Sequence, residues 1–168
     1  SGPTPTPTKS PTPTPTKVPT PTPTPTKTPT LTPPVATPTP SPAIGCIQAS
    51  TTWQNTAFTS QTGTFTAEFD ATPASTGIDV VFGLSSGAAS GYTNLAAIAR
   101  FNPSGFIDAR NGAAYQAAAS IPYSGGTSYH FRLVVNFPNR TYSIYVRPSG
   151  GLEQTVGLNY AFRSDWTG

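Results

Sequence analysis

The chain holds one cysteine, one histidine and no methionine in 168 residues. A lone cysteine makes no internal disulfide, and one histidine with one cysteine makes no zinc set. Serine-type catalysis needs a base, and His130 is the sole histidine available for it. Charged residues make up only 9%. No stretch approaches the ~18 consecutive apolar residues of a membrane span. There is no initiator methionine and no signal-peptide pattern, as expected of a mature or partial chain.

Residues 1–42 lack aromatic side chains altogether, yet hold 16 of the 21 prolines, 15 threonines and all three lysines. Only Val18, Leu31, Val35 and Ala36 are apolar there, too few to offset chain entropy by burial. The remaining 126 residues carry 55 apolar ones, a normal share for a globular domain. The expected organisation is a tail, 1–42, and one domain, 43–168. Six arginines balance six acids in that domain, so the net charge of +3 comes from Lys9, Lys17 and Lys27. Three scattered lysines make no basic patch, and nucleic acid is not an expected partner.

The tail alternates proline and threonine: PTPTPTKS, PTPTPTKV, PTPTPTPTKT. Proline at every second place excludes helix and a central strand, leaving polyproline II with a reach of roughly 130 Å. The plain reading is a stiff spacer. Threonine with proline is also the composition of O-glycosylated stalks. Thr4, Thr6, Thr8, Thr12, Thr14, Thr16, Thr20, Thr22, Thr24, Thr26, Thr28 and Thr30 are the candidate sites. Val18, Leu31, Val35 and Cys46 are candidate anchors for assembly with neighbouring copies, the cysteine through an intermolecular bond.

From Ala43 onward the apolar pattern has period 2. Phe65, Ala67 and Phe69 alternate with Thr64, Thr66, Glu68 and Asp70. Further strands are predicted at Ile78–Ser85, Leu95–Phe101, Phe106–Arg110, Tyr115–Ala119, Ser128–Phe137, Tyr142–Arg147 and Gln154–Tyr160. Turn signals such as Asn102-Pro103-Ser104-Gly105 and Asn111-Gly112 separate them. The alanine run Ala113–Ala119 is helix-like in composition, but its flanks favour a strand. Short strands at this spacing predict an all-β antiparallel sandwich or barrel.

GTFTAEFDATP, LAAIARFNPSGFIDARNG, IPYSGGTSYHFRLVVNFPNRTYSIYVRP and NYAFR resemble a module of secreted bacterial proteins. That module belongs to the concanavalin A-like, laminin-G-like jelly rolls, and the resemblance covers about residues 46–164. It implies an antiparallel jelly-roll β-sandwich, often found beside carbohydrate-active domains behind Pro-Thr linkers. The resemblance also implies a further strand beyond Ala161-Phe162-Arg163; either the protein continues past Gly168, which is the plainer reading, or the sandwich lacks its last strand and keeps an open edge that another chain could cover. The tail-and-domain architecture resembles subunits of extracellular glycosylated fibrils.

Concanavalin A-like glucanases carry a Glu-x-Asp-x-x-Glu pattern. Glu68 and Asp70 match its first two acids, but Pro73 stands where the third belongs. Hydrolysis needs two flanking carboxylates, so no enzyme activity and no catalytic residue are expected. His130 reads as a strand-face histidine beside Arg132. No cofactor and no metal set are expected; calcium on Asp79 or Asp108 is implied only by family analogy. Sugar would stack on aromatic rings, with Trp53, Tyr92, Tyr115 and Tyr145 as candidates and Tyr123 and Tyr142 weighed beside them. Alternation puts Tyr142, Ile144 and Val146 on one face and Tyr145 and Arg147 on the other. Arg100, Arg110 and Arg132 are expected to pair with Asp108, Asp70 or Asp79. Asn139-Arg140-Thr141 is an N-glycosylation sequon.

Two functions follow as expectations for a secreted or cell-surface, extracellular chain. One is a structural subunit that joins copies of itself into a glycosylated filament through tail and open edge. The other is a carbohydrate-binding accessory module on a linker.

Overall fold

The computed structural model describes Gly2 and residues 45–168. The twelve threonines and the anchors Val18, Leu31 and Val35 lie outside the described residues. Among the described residues eight strands form: β1 (Thr64–Ala71), β2 (Val80–Ser85), β3 (Leu95–Phe101), β4 (Ile107–Asn111), β5 (Ala114–Gln116), β6 (Tyr129–Asn136), β7 (Thr141–Pro148) and β8 (Gln154–Ala161). They make two antiparallel four-stranded sheets packed face to face. Sheet A runs β1-β6-β7-β8 and sheet B runs β2-β3-β4-β5. The all-β sandwich expected from the period-2 pattern is what the chain adopts.

Alternation decides which side chains go inward. On β6 Tyr129, Phe131, Leu133 and Val135 are buried, and on β7 Tyr142, Ile144 and Val146 are buried. Sheet B meets them with Ala97, Ala99 and Phe101 of β3 and Ile107 and Ala109 of β4. Phe69, Phe82, Phe101 and Phe131 interlock at centroid distances of 4.8–5.8 Å, mostly edge to face. Each such ring contributes roughly 1.5–3 kcal/mol by leaving water.

The strand expected over Tyr115–Ala119 is shorter than its composition suggests. β5 pairs with β4 only from Ala114 to Gln116. The Ala118 N–H donates instead to the Val156 carbonyl of sheet A, 2.7 Å away. The chain then returns to β4 through the Ile107 N–H, which donates to Ile121 O at 2.8 Å. Alanine offers little to pack on a sheet, so nothing holds 117–120 to β4 against that competing bond. The β4–β5 hairpin has two loop residues, with Gly112 at φ +58 in the first, the place a type II′ turn keeps for glycine.

Beyond β8, Phe162 is buried in the core and Trp166 packs against Phe162 and Phe137. The Arg163 N–H donates to Ala96 O at 2.8 Å and the Thr167 N–H to Thr93 O at 2.9 Å. Residues 162–167 therefore lie from the end of β8 to the start of β3. Cys46 is exposed and unbonded.

Candidate functional site

The outer face of sheet B gathers most of the chemistry. Strand register aligns Val81, Arg100 and Asp108 in one row across β2, β3 and β4. Arg110 of β4 and Tyr115 of β5 face each other in the next row. Arg100 grips Asp108 with both ends of its fork, Nε to Oδ1 at 2.8 Å and Nη2 to Oδ2 at 2.7 Å. That hydrogen bond raises the Arg100 pKa above its ordinary value despite partial burial. Asp79 stands farther off, at 3.8 Å.

Asn102 sets the carboxylate from the other side. Its Oδ1 accepts from the N–H groups of Ser104 and Phe106, both at 3.0 Å, which folds the β3–β4 turn. Its Nδ2 donates to Asp108 Oδ2 at 2.9 Å. One residue thus shapes the turn and orients an acid that is only 8% exposed.

Tyr115 lies across this face. The Arg100 guanidinium is 3.7 Å from its ring centroid and the Arg110 guanidinium 5.2 Å. Partial burial raises the Tyr115 hydroxyl pKa, against the pull of both arginines. Arg110 is held by its own turn, Nε donating to Gly112 O at 3.0 Å. Trp53 and Tyr115 pack on the same small apolar patch of Ala89, Leu95 and Ile98. Trp53 meets Tyr92 edge to face at 5.3 Å. Asn55 fastens this strand-free segment by donating to Ala89 O at 3.0 Å and accepting from Ala89 N at 2.8 Å.

Where 117–120 leaves β4, a cavity of about 440 Å³ opens at the sheet's rim. Asn102, Phe106, Asp108, Tyr115 and Gln116 line it, with the backbone of 117–120. Its volume falls in the ~300–1,000 Å³ range of small-molecule sites. Sequence reasoning missed Asn102, Phe106 and Gln116. The Asn-Pro-Ser-Gly turn was the available signal for Asn102; nothing local marked the other two.

The outer face of sheet A is flatter and charged. Glu68, Arg132 and Tyr145 form one cross-strand row, and Asp70, His130 and Arg147 the next. Arg132 lies 4.0 Å over the Tyr145 ring. Its partner is Glu153, with Nε to Oε2 at 3.0 Å. Asp70 faces His130 Nδ1 at 3.0 Å. The expected pairing of Arg132 and Arg110 with Asp108, Asp70 or Asp79 is thus corrected: the β7–β8 connection brings Glu153 over Arg132, register gives Asp70 to His130, and Arg110 donates to Gly112 O instead of an acid. His130 is the strand-face residue expected.

Of the four sugar-stacking candidates, Trp53 and Tyr115 share a patch of sheet B, Tyr92 meets Trp53 from the turn before β3, and Tyr145 stands apart on sheet A. Tyr123 and Tyr142 are core residues. The oxygens of Asp108 are engaged by Arg100 and Asn102, and no group of three or more His, Cys, Asp or Glu among the described residues could hold a metal. No helix among them is long and apolar enough to cross a membrane. Asn139 is exposed in the β6–β7 hairpin loop.

No family model matches the chain, and no solved structure matches it. A gellan lyase from a Bacillus species is 35% identical to it over 98 residues. That stretch is 56% of this chain and 4% of the lyase. The chain thus spans a small fraction of the curated relative it matches. This match overturns the expectation that enzyme chemistry is absent. That expectation weighed hydrolysis, serine nucleophiles and metal sets. A lyase cleaves without water, by removing a proton and expelling the leaving group, so the missing third acid at Pro73 does not bear on it.

Proposed function

We propose that the domain binds carbohydrate on the outer face of sheet B, as part of an extracellular polysaccharide-degrading protein. The observation that carries this reading is that Tyr115 both lines the cavity and shares an apolar patch of sheet B with Trp53, which in turn meets Tyr92. Aromatic rings take the apolar face of a sugar ring, and the Gln116 amide nitrogen on the cavity wall, which has no partner among the described residues, offers donors to its hydroxyls. The gellan lyase match supports the same reading, as does the company of carbohydrate-active domains that the resemblance of residues 46–164 implies. The Pro-Thr tail then tethers the domain and carries sugar on its threonines. Nothing among the described residues bears on assembly into a fibre.

The test is affinity electrophoresis of the full chain in gels containing gellan or neutral polysaccharides. Retardation by at least one of them is expected, and Tyr115→Ala should weaken it about tenfold, roughly 1.4 kcal/mol. Ultraviolet absorbance of newly formed unsaturated ends, read in the same mixtures, separates cleavage from binding. Unretarded migration in every gel would sink the proposal.

A further inference from the structure

A second hollow, of about 330 Å³, lies between the β6–β7 hairpin loop and the segment after β8. Asn139, Arg140, Phe162, Arg163, Ser164 and Trp166 wall it. None of these served in the reading above.

Arg140 is the unexpected residue. Its φ is +52, in the left-handed region where a β-carbon costs about 1 kcal/mol and where a hairpin normally places glycine. A strained backbone of this kind points to a use for the side chain. The Arg140 guanidinium lies 5.7 Å from the Trp166 ring centroid. Among the described residues no Asp or Glu pairs with it. Arg163, on the other wall, is answered by Asp165, with Nη2 donating to Oδ2 at 3.0 Å. Arg163 Nε is buried and 2.6 Å from Oδ1, but outside hydrogen-bond geometry. Two guanidiniums therefore meet one carboxylate, which leaves the hollow cationic.

Trp166 is rigidly held. Its Nε1 donates to Asn94 O at 3.1 Å, and its ring stands edge to face against Phe162 at 5.5 Å and Phe137 at 6.2 Å. A fixed indole beside an unpaired guanidinium suits a ring that bears a carboxylate, and the choice of a pyranose ring rests on the carbohydrate reading above. We propose that this hollow binds a carboxylate-bearing sugar, with Arg140 taking the carboxylate, Trp166 the apolar ring face, and Asn139 and Ser164 the hydroxyls.

The experiment follows Trp166 emission in the full chain carrying Trp53→Phe, which leaves Trp166 as the sole tryptophan. The probes are tetragalacturonic acid and its neutral methyl ester. The acid should change the emission saturably, and the ester should bind at least about tenfold more weakly. Arg140→Gly should weaken the acid about tenfold while melting no lower than its parent, because glycine is at ease at positive φ. Equal binding of acid and ester, unchanged binding in Arg140→Gly, or no emission change up to about 10 mM acid would each overturn the proposal. The Trp166 signal reads this hollow alone, so a sheet B face that binds nothing leaves it standing, and the reverse.

Discussion

The outer faces of the two sheets carry the same small device at different depths. On sheet B, Arg100 lies over Tyr115 and is gripped by Asp108; on sheet A, Arg132 lies over Tyr145 and is gripped by Glu153. The side chains of Arg100 and Asp108 are 20% and 12% exposed, those of Arg132 and Glu153 29% and 37%. Sheet B also has a strap, the Trp53–Asn55 segment, and a rim where β5 departs from β4; neither has a counterpart among the features of sheet A described above. The lesson is that an ion pair becomes part of a site when neighbouring backbone walls it in. Left on a regular sheet surface, the same pair is solvated and contributes little.

The largest expected effect separates the two pairs by stability. Asp108→Ala leaves Arg100 partly buried and unanswered, and should cost about 3 kcal/mol in urea denaturation. Glu153→Ala should cost less than about 1 kcal/mol. Similar losses at both positions would break the comparison.

Tyr142→Phe comes next. The Tyr142 hydroxyl rises from sheet A into sheet B, accepting from Ile98 N at 3.4 Å and sharing its single proton between the carbonyls of Arg110 and Ile98. Burial pushes its pKa well up. The register of β3 with β4 ends at Ala99 opposite Ala109, so this hydroxyl serves backbone groups that the ladder leaves unmatched. Removing it should cost about 2 kcal/mol by thermal melting, and should loosen Tyr115 more than Tyr145.

A smaller effect sharpens the comparison by binding. If sheet B is the contacting face, Tyr145→Ala should change polysaccharide retardation less than about twofold, against about tenfold for Tyr115→Ala. Equal losses would move the site to both faces.

The smallest effect is on pH. The hydrogen bond from Arg132 holds the Glu153 carboxyl below the usual glutamate range. A depressed folded-state value means a contribution present above the unfolded value and lost as pH falls through the folded one, below about pH 4. Glu153→Gln should flatten the stability profile slightly there, with no change near pH 7.

The strands were legible because period-2 burial is written locally. β3 was expected at Leu95–Phe101 and forms there, and the alternation around Tyr142 separated the two faces correctly without saying which was core. The alanine run was misjudged because its fate depends on a carbonyl of Val156, some forty residues away. Trp53, Tyr92 and Tyr115 were visible as residue types, but nothing local said that Trp53 would share a patch with Tyr115 and meet Tyr92. Glu153 as the partner of Arg132 is likewise a product of connectivity. Arg140 and Trp166 escaped notice for another reason: a left-handed backbone and a cross-chain indole contact leave no trace in composition.

The Trp53–Asn55 strap has a mechanical consequence. Tension applied through residues 1–52 reaches Trp53 first and the Asn55–Ala89 clamp two residues later. Trp53 is held to its patch by packing, whereas Asn55 is tied by two hydrogen bonds. A pulled tail would peel the indole from Tyr92 before the fold yields, so any ligand contact made through Trp53 on the proposed face would be lost under load while the sandwich stays intact.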